Sequence, residues 1–267
     1  MSELIRLNRF LSLAHIASRR QADLLIAAGE VQVNGQVVSD LGRKVDPGKD
    51  VVRVQGKRLK PPGACRYVLF HKPRGCLCTQ SDPFRRRTIY DLLPASFQDL
   101  KYAGRLDADS EGLLLLTDDG DLIQELTHPR NRVPRTYLVE VEGVPNRGEL
   151  EHLAQGFELD GERLQPVRVR VVRVDRGGNH ALLQAVTLEG RKREVRRICE
   201  ALGHPVLRLT RTGFGNLRLE GLLPGEWKIV PAREARAACA TPTRQQGSVA
   251  SPDRKKGRSP RPRVPHA

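Results

Sequence analysis

Between residues 104 and 120 the chain gathers carboxylates around a run of leucines: Gly104-Arg105-Leu106-Asp107-Ala108-Asp109-Ser110-Glu111-Gly112, then Leu113 to Leu116, Thr117 and Asp118-Asp119-Gly120. Four consecutive leucines between acidic, glycine-punctuated loops read as a short strand buried on both faces. The loop before it therefore enters the core, and Asp107 stands at the edge of an apolar interior. A carboxylate there is costly unless a cation pairs with it, and such carboxylates recur where chemistry is done. A plain turn at each end of the strand is one alternative, since Gly and Asp are turn formers. A calcium loop is another, because Asp107, Asp109, Glu111 and Gly112 fall on the first, third, fifth and sixth places of the EF-hand pattern. Against it, Asp118 stands where a bidentate Glu belongs and no helix end precedes Gly104. No metal is expected.

The elements that must position these residues belong to a basic, globular chain. Its 267 residues suffice for about two domains, and 46 Lys and Arg against 31 Asp and Glu give a net charge of +15. A charge of that size points to a polyanionic partner, nucleic acid first, because neutralised phosphates release counterions. No long apolar run or lipidation signal supports a membrane role. The first ten residues show no cleavable signal pattern, so a cytoplasmic setting is expected. Five cysteines, Cys65, Cys76, Cys78, Cys199 and Cys239, form neither a zinc pattern nor a disulfide framework; Cys199 reads as core filling, and Cys76 and Cys78 as packing.

Along the chain, Ile5, Phe10, Leu11 and Leu13 predict an amphipathic helix, and Ser18-Arg19-Arg20-Gln21 opens a second with a capping box. Val31 and Val33 lead into Asn34-Gly35, a two-residue hairpin turn, before Val37-Val38 and a further strand through Val51, Val52 and Val54. Arg6, Arg9, Arg19, Arg20, Arg43 and Lys44 are the solvent-facing charges of this module. Lys60-Pro61-Pro62-Gly63 stiffens a linker. Tyr67 to Phe70 forms a strand delivering His71-Lys72-Pro73-Arg74-Gly75 into a turn. Asp82 to Thr88 carries Phe84 and the adjacent Arg85, Arg86 and Arg87, a composition suited to clamping RNA from a loop. Leu122, Ile123 and Leu126 mark a short helix, Tyr137, Val139 and Val141 a strand, and Leu150 and Leu153 another helix. Val167–Val174 and Ala181–Leu188 read as strands. Val195, Ile198, Cys199 and Leu202 share one helical face, with Arg191, Lys192, Arg193, Arg196 and Arg197 around the helix start. A strand over Val206, Leu207 and Leu209 follows, and Trp227 is expected as a core anchor.

The expected class is thus α+β. Residues 3–60 form a small α+β module, 61–65 a linker, and 66–233 a mixed, largely antiparallel sheet with short flanking helices. Residues 234–267, with eight Lys or Arg against two acids, read as a disordered basic tail with non-specific RNA affinity.

The motif Gly104-Arg105-Leu106-Asp107, followed by Glu111-Gly112-Leu113-Leu114-Leu115-Leu116-Thr117-Asp118-Asp119-Gly120, resembles the signature of the RsuA/RluB-type pseudouridine synthases. Lys72-Pro73-Arg74-Gly75, Arg135-Thr136-Tyr137-Leu138-Val139 and Glu189-Gly190-Arg191-Lys192-Arg193-Glu194-Val195-Arg196-Arg197 are similar to further motifs of that family. Residues 3 to 60 resemble the S4 RNA-binding domain. The resemblance implies Asp107 as nucleophile, Tyr137 packed on a flipped uracil, Arg196 paired with Asp107, Leu207 beside the uracil, and Arg105 at the substrate. It makes Lys72, Arg85, Arg86, Arg87, Lys192, Arg193 and Arg197, with the module's arginines and Lys44, expected RNA contacts. It further implies a monomeric, cofactor-free enzyme acting on ribosomal RNA or an assembly intermediate, with the large subunit favoured. A small-subunit target and a non-catalytic assembly factor are the alternatives.

Overall fold

The computed structural model describes residues 4–156, 158–159, 161–163 and 165–239. Residues 240–267 of the expected tail lie outside the described residues.

The N-terminal module runs β1 (Ile5–Arg6), α1 (Leu7–Leu13), α2 (Arg19–Ala27), β2 (Val31–Val33), β3 (Gln36–Val37), β4 (Lys44–Val45), β5 (Val52–Val54) and β6 (Lys57–Arg58). The capping box forms: the Ser18 hydroxyl accepts from Gln21 N, and the Gln21 side chain accepts from Ser18 N. Asn34 and Gly35 both take positive φ, 52° and 84°, as a tight hairpin between β2 and β3 demands. The two helices bury Leu7, Phe10, Leu11, Ala22 and Ile26 against Val31, Val33, Val45 and Val52.

The second domain begins with β7 (Tyr67–Lys72), followed by β8 (Lys101–Ala103), β9 (Glu111–Thr117), α3 (Gly120–Thr127), β10 (Arg135–Glu142) and α4 (Arg147–Gln155). A small hairpin, β11 (Glu158–Leu159) and β12 (Glu162–Arg163), precedes β13 (Arg168–Val174), β14 (His180–Thr187), α5 (Glu194–Ala201) and β15 (Val206–Phe214). Then come β16 (Leu217–Arg218), β17 (Trp227–Ile229) and α6 (Ala232–Arg236). The sheet order is β13-β14-β10-β15-β9-β7-β17, with β8 beside β9 and β16 beside β15. Every pairing is antiparallel except β15 with β9, where Thr210 meets Glu111 and Arg211 meets Gly112. The mixed α+β reading holds.

The leucine run is buried on both sides, as alternation along a central strand requires. Leu114 and Leu116 join Val68, Phe70, Val139 and Leu209 beneath α4 and α5, whereas Leu113 and Leu115 join Tyr67, Leu69 and Phe214 beneath α3 and α6. Burial of each such side chain contributes roughly 1.5–3 kcal/mol. Gly112 has no alternative: its φ is +117°, and a Cβ would lie 2.3 Å from Arg211 O.

Two expectations are corrected. The fold does not stop at Arg233, because α6 and a 3-10 turn, Ala237–Cys239, bury Ala235 and Ala238 against the sheet. Trp227 is no core anchor; it is 39% exposed and sets its ring edge-on to Phe97 at 4.8 Å. Among the described residues no helix is long and apolar enough to cross a membrane.

Candidate active site

The loop that carries Asp107 leaves β8 and enters β9, and it is tied down from below by Lys72. This residue is fully buried at the end of β7, and its Nζ donates to the carbonyls of Asp107 at 2.9 Å, Ser110 at 2.7 Å and Pro73 at 3.1 Å. Three acceptors satisfy the three protons of an ammonium. Burial nonetheless pulls the Lys72 pKa down, against the opposing effects of Cys78, Cys76, Asp109 and Asp107. Gly75 N adds a 2.7 Å bond to Ala108 O, and Ser110 N closes the turn on Asp107 O at 3.1 Å. The expectation that Lys72 contacts RNA is therefore corrected: alternation along β7 turns it inward, where it shapes the loop.

From above, the loop is held by α5. The expected partner of Arg196 was Asp107, but its ion pair is with Asp109, at 3.3 Å from Nε, and it also donates to Asp109 O at 3.0 Å and Val206 O at 3.1 Å. Arg193 reaches the same carboxylate at 3.1 Å. The turn closed by Ser110 N swings Asp109 toward the helix and leaves Asp107 facing the cavity. Burial alone would raise the Asp109 pKa; the Arg193 hydrogen bond and the charges of Arg196 and Arg193 outweigh it and hold the carboxyl below its usual range.

The cavity has a volume of about 320 Å³ and is lined by both domain halves: Arg105, Asp107 and Ser110 from the loop, Tyr137 from β10, Glu194 and Val195 from α5, and Leu209 and Arg211 from β15. Tyr137 is only 9% exposed, its ring on the cavity wall. Leu207 does not line it. The register of β15 against β10 shifts between Glu140 and Val141 and skips Leu207, which is 37% exposed, while Leu209, paired with Val139, stands on the cavity face. Two buried guanidiniums share the Phe214 ring, Arg135 at 5.1 Å and Arg211 at 4.9 Å from its centroid. Arg135 is anchored by the carbonyls of Val133, Leu188 and Leu126, and Arg211 by Leu113 O at 2.8 Å.

Glu194, unmarked in the sequence reading, is the other carboxylate of the cavity. It is 5% exposed, and burial, reinforced by Glu189, pushes its pKa up to about 7 despite Arg191 and Arg135. The signal was present: Glu194 stands four residues before Ile198 and so falls on the apolar side of α5. Five neighbouring basic residues disguised it as part of a solvated face.

The remaining expected RNA contacts divide. Arg6, Arg20, Arg43 and Lys44 are exposed on the N-terminal module, and Arg85 and Arg87 on the 82–88 loop. Arg86 is bound to Asp82 and lies over Phe84. Lys192 and Arg193 stand exposed at the cavity mouth, while Arg197 pairs with Glu162. Arg9 and Arg19 face the second domain: Arg9 pairs with Asp121 at 2.7 Å and Asp119 at 3.7 Å, and Arg19 with Asp121 at 2.9 Å.

A loop carboxylate, an aromatic face and a second, buried carboxylate line one cavity of a mixed-sheet domain that follows a small basic α+β module. Residues 66–201 match the RNA pseudouridylate synthase family and residues 5–51 the S4 domain. The chain belongs to the RNA pseudouridylate synthase family and is an RNA pseudouridine synthase, an isomerase. It is similar to an uncharacterized RNA pseudouridine synthase of Aquifex aeolicus, 43% identical over 84% of this chain and 89% of the relative. It is also similar to ribosomal large subunit pseudouridine synthase B of Bacillus subtilis, 36% identical over 86% and 94%. A crystal structure of a pseudouridylate synthase superposes with a TM-score of 0.61 at 28% identity, covering 88% of this chain and 99% of that one.

Proposed function

We propose that this protein converts a specific uridine of large-subunit ribosomal RNA to pseudouridine, with Asp107 as nucleophile acting on a base flipped out of its stack. The observation that carries the reading is the joint presence of Asp107 and Tyr137 on one cavity beside the cationic mouth of Arg105, Lys192 and Arg193. Extruding a nucleotide costs a few kcal/mol of stacking, which an aromatic face can offset. Tyr137 supplies that face. Asp107 then attacks C1′ of the ribose and displaces uracil as the glycosidic bond breaks; the detached uracil turns within the cavity, and its C5 displaces the Asp107 carboxylate in rejoining the ribose. Walls of Leu209, Val195 and Tyr137 keep water from the intermediate, which would otherwise lose its base. The scheme calls on no cofactor.

The large-subunit assignment draws on the similarity to ribosomal large subunit pseudouridine synthase B of Bacillus subtilis. Exposed Arg6, Arg20, Arg43 and Lys44 hold phosphates on the N-terminal module, positioning the RNA without reading its sequence. A ribosomal substrate implies a cytoplasmic enzyme, and one chain supplies every group the scheme uses.

The test is carbodiimide mapping of ribosomal RNA from a strain lacking the gene, complemented by wild type or by Asp107→Ala. A stop restored only by wild type is the expected result and names the uridine. Restoration by both proteins removes Asp107 from the nucleophile's role. A change confined to small-subunit RNA reassigns the substrate, and no change in either subunit favours a binding or assembly role.

A further inference from the structure

The net reaction moves a proton. Uridine loses the hydrogen on C5 when that carbon bonds to the ribose, and the product carries a hydrogen on N1. Between these states a group in the cavity must accept a proton from carbon, and the reading in which Asp107 is occupied as nucleophile leaves that task open. This inference rests on that reading.

Glu194 has the required features. It lines the cavity that Asp107 and Tyr137 share, at the first turn of α5, and it is 95% shielded from bulk solvent. Among the described residues no ion pair engages its carboxylate; the main chain of Arg191 offers it one hydrogen bond, and the charges around it are Glu189 and Arg191 in the preceding loop and Arg135 across on β10. A buried carboxylate with no counter-ion bound to it is an expensive arrangement that persists where a ligand or reaction makes use of it. Its neighbours in the cavity are differently committed: Arg135 to three carbonyls, Arg193 to Asp109, Arg191 to Glu189. The left-handed Arg193, φ 52°, turns the chain so that the next residue begins the helix pointing inward.

We propose that Glu194 is the proton acceptor for C5 of the rebonded uracil. Once C5 is joined to the ribose it is tetrahedral, with C6 doubly bonded to N1. The Glu194 carboxylate takes the C5 proton, the C5–H pair re-forms the C5–C6 double bond, and the C6–N1 π pair moves to N1, which takes a proton from water. Glu194 then returns its proton to solvent, and nothing is oxidised or reduced. A base must be ionised to act. The raised pKa of Glu194, about 7, balances ionisation near neutral pH against basicity.

The experiment uses ribosomal RNA labelled with 5-tritiated uridine, purified from the strain lacking the gene, and single-turnover tritium release by the full-length protein. Wild type is expected to show a rate that rises with pH through a midpoint near 7. Glu194→Gln is expected to lose about 10²–10⁴-fold in rate, to lose the pH-dependent limb, and to retain RNA affinity in filter binding. Glu194→Asp, which keeps an acceptor on a shorter arm, recovers the limb at a reduced rate. A Glu194→Gln protein that releases tritium at the wild-type rate overturns the proposal, as does a flat wild-type profile between pH 5.5 and 8.5, a readout independent of whether the variant folds. Asp107→Ala assayed alongside separates the two claims: release by that variant refutes the nucleophile and leaves the Glu194 outcome to be scored on its own.

Discussion

The buried ammonium of Lys72 donates to the main-chain carbonyl of Asp107 at 2.9 Å, so the residue that sets the candidate nucleophile's backbone lies one strand away and 35 positions earlier. Replacing Lys72 by Met keeps the stem and strands three carbonyls. Each unmet buried acceptor carries a desolvation cost, and a loss of about 2–4 kcal/mol is expected. Urea unfolding measures it. Tritium release should fall at least tenfold with little change in RNA affinity, because the loop and not the RNA surface is disturbed.

Asp109 joins the loop to α5 through Arg193 and Arg196. Asp109→Asn keeps the shape and removes the charge. The carboxylate is 39% exposed, so solvent screening limits the loss to about 1–2 kcal/mol. The effect on turnover should be larger than on stability, since Arg196 is left nearly buried without its counter-ion. A variant with unchanged single-turnover rate would show that the α5 clasp is dispensable for chemistry.

Leu209 and Leu207 stand two residues apart with opposite fates. Leu209→Ala opens the cavity wall and is expected to cost about 2–4 kcal/mol and to slow turnover. Leu207→Ala, at a solvent-facing position, should stay within about 1 kcal/mol and leave the rate intact. Equal rates for the two variants would remove Leu209 from the site.

Glu194 also predicts a pH dependence of stability. Its pKa is about 7 folded against 4.5 for an ordinary glutamate, so the native state holds the extra proton between those values. Its stabilising contribution is full below about pH 4.5 and is lost as pH rises through about 7. Glu194→Gln abolishes that loss and should be more stable than wild type at pH 8 by up to about 3 kcal/mol, with a much smaller difference at pH 5. Denaturant midpoints at the two pH values measure it. A protein that is sturdier and slower is the signature of a group retained for chemistry.

The parts of the site legible in the sequence are those that one local segment determines. Asp107 sits in a contiguous motif on the entry loop of β9, and Tyr137 in one on β10, where alternation predicts the side it faces. Leu207 was misjudged because β15 continues to Phe214 and its phase is set by pairing with β10, where register shifts interrupt the alternation. Lys72 read as a turn residue since Pro73 follows it, although β7 runs through Lys72. The Arg196 partner was off by two residues because the choice between Asp107 and Asp109 depends on a turn closed within the folded loop. In the N-terminal module the capping box and Asn-Gly turn were local signals and formed as expected, whereas the pairing of Arg9 and Arg19 with Asp121 is a long-range docking event.

The single parallel join, Thr210 to Glu111 and Arg211 to Gly112, divides the catalytic sheet into two halves. One half owns the Asp107 loop and Lys72; the other owns Tyr137, Glu194 and Leu209. Neither half carries the whole lining of the cavity, so a chain folded on one side of the seam has no complete pocket. Competence therefore arrives with the docking of β15 on β9, and it requires a residue without a side chain at position 112.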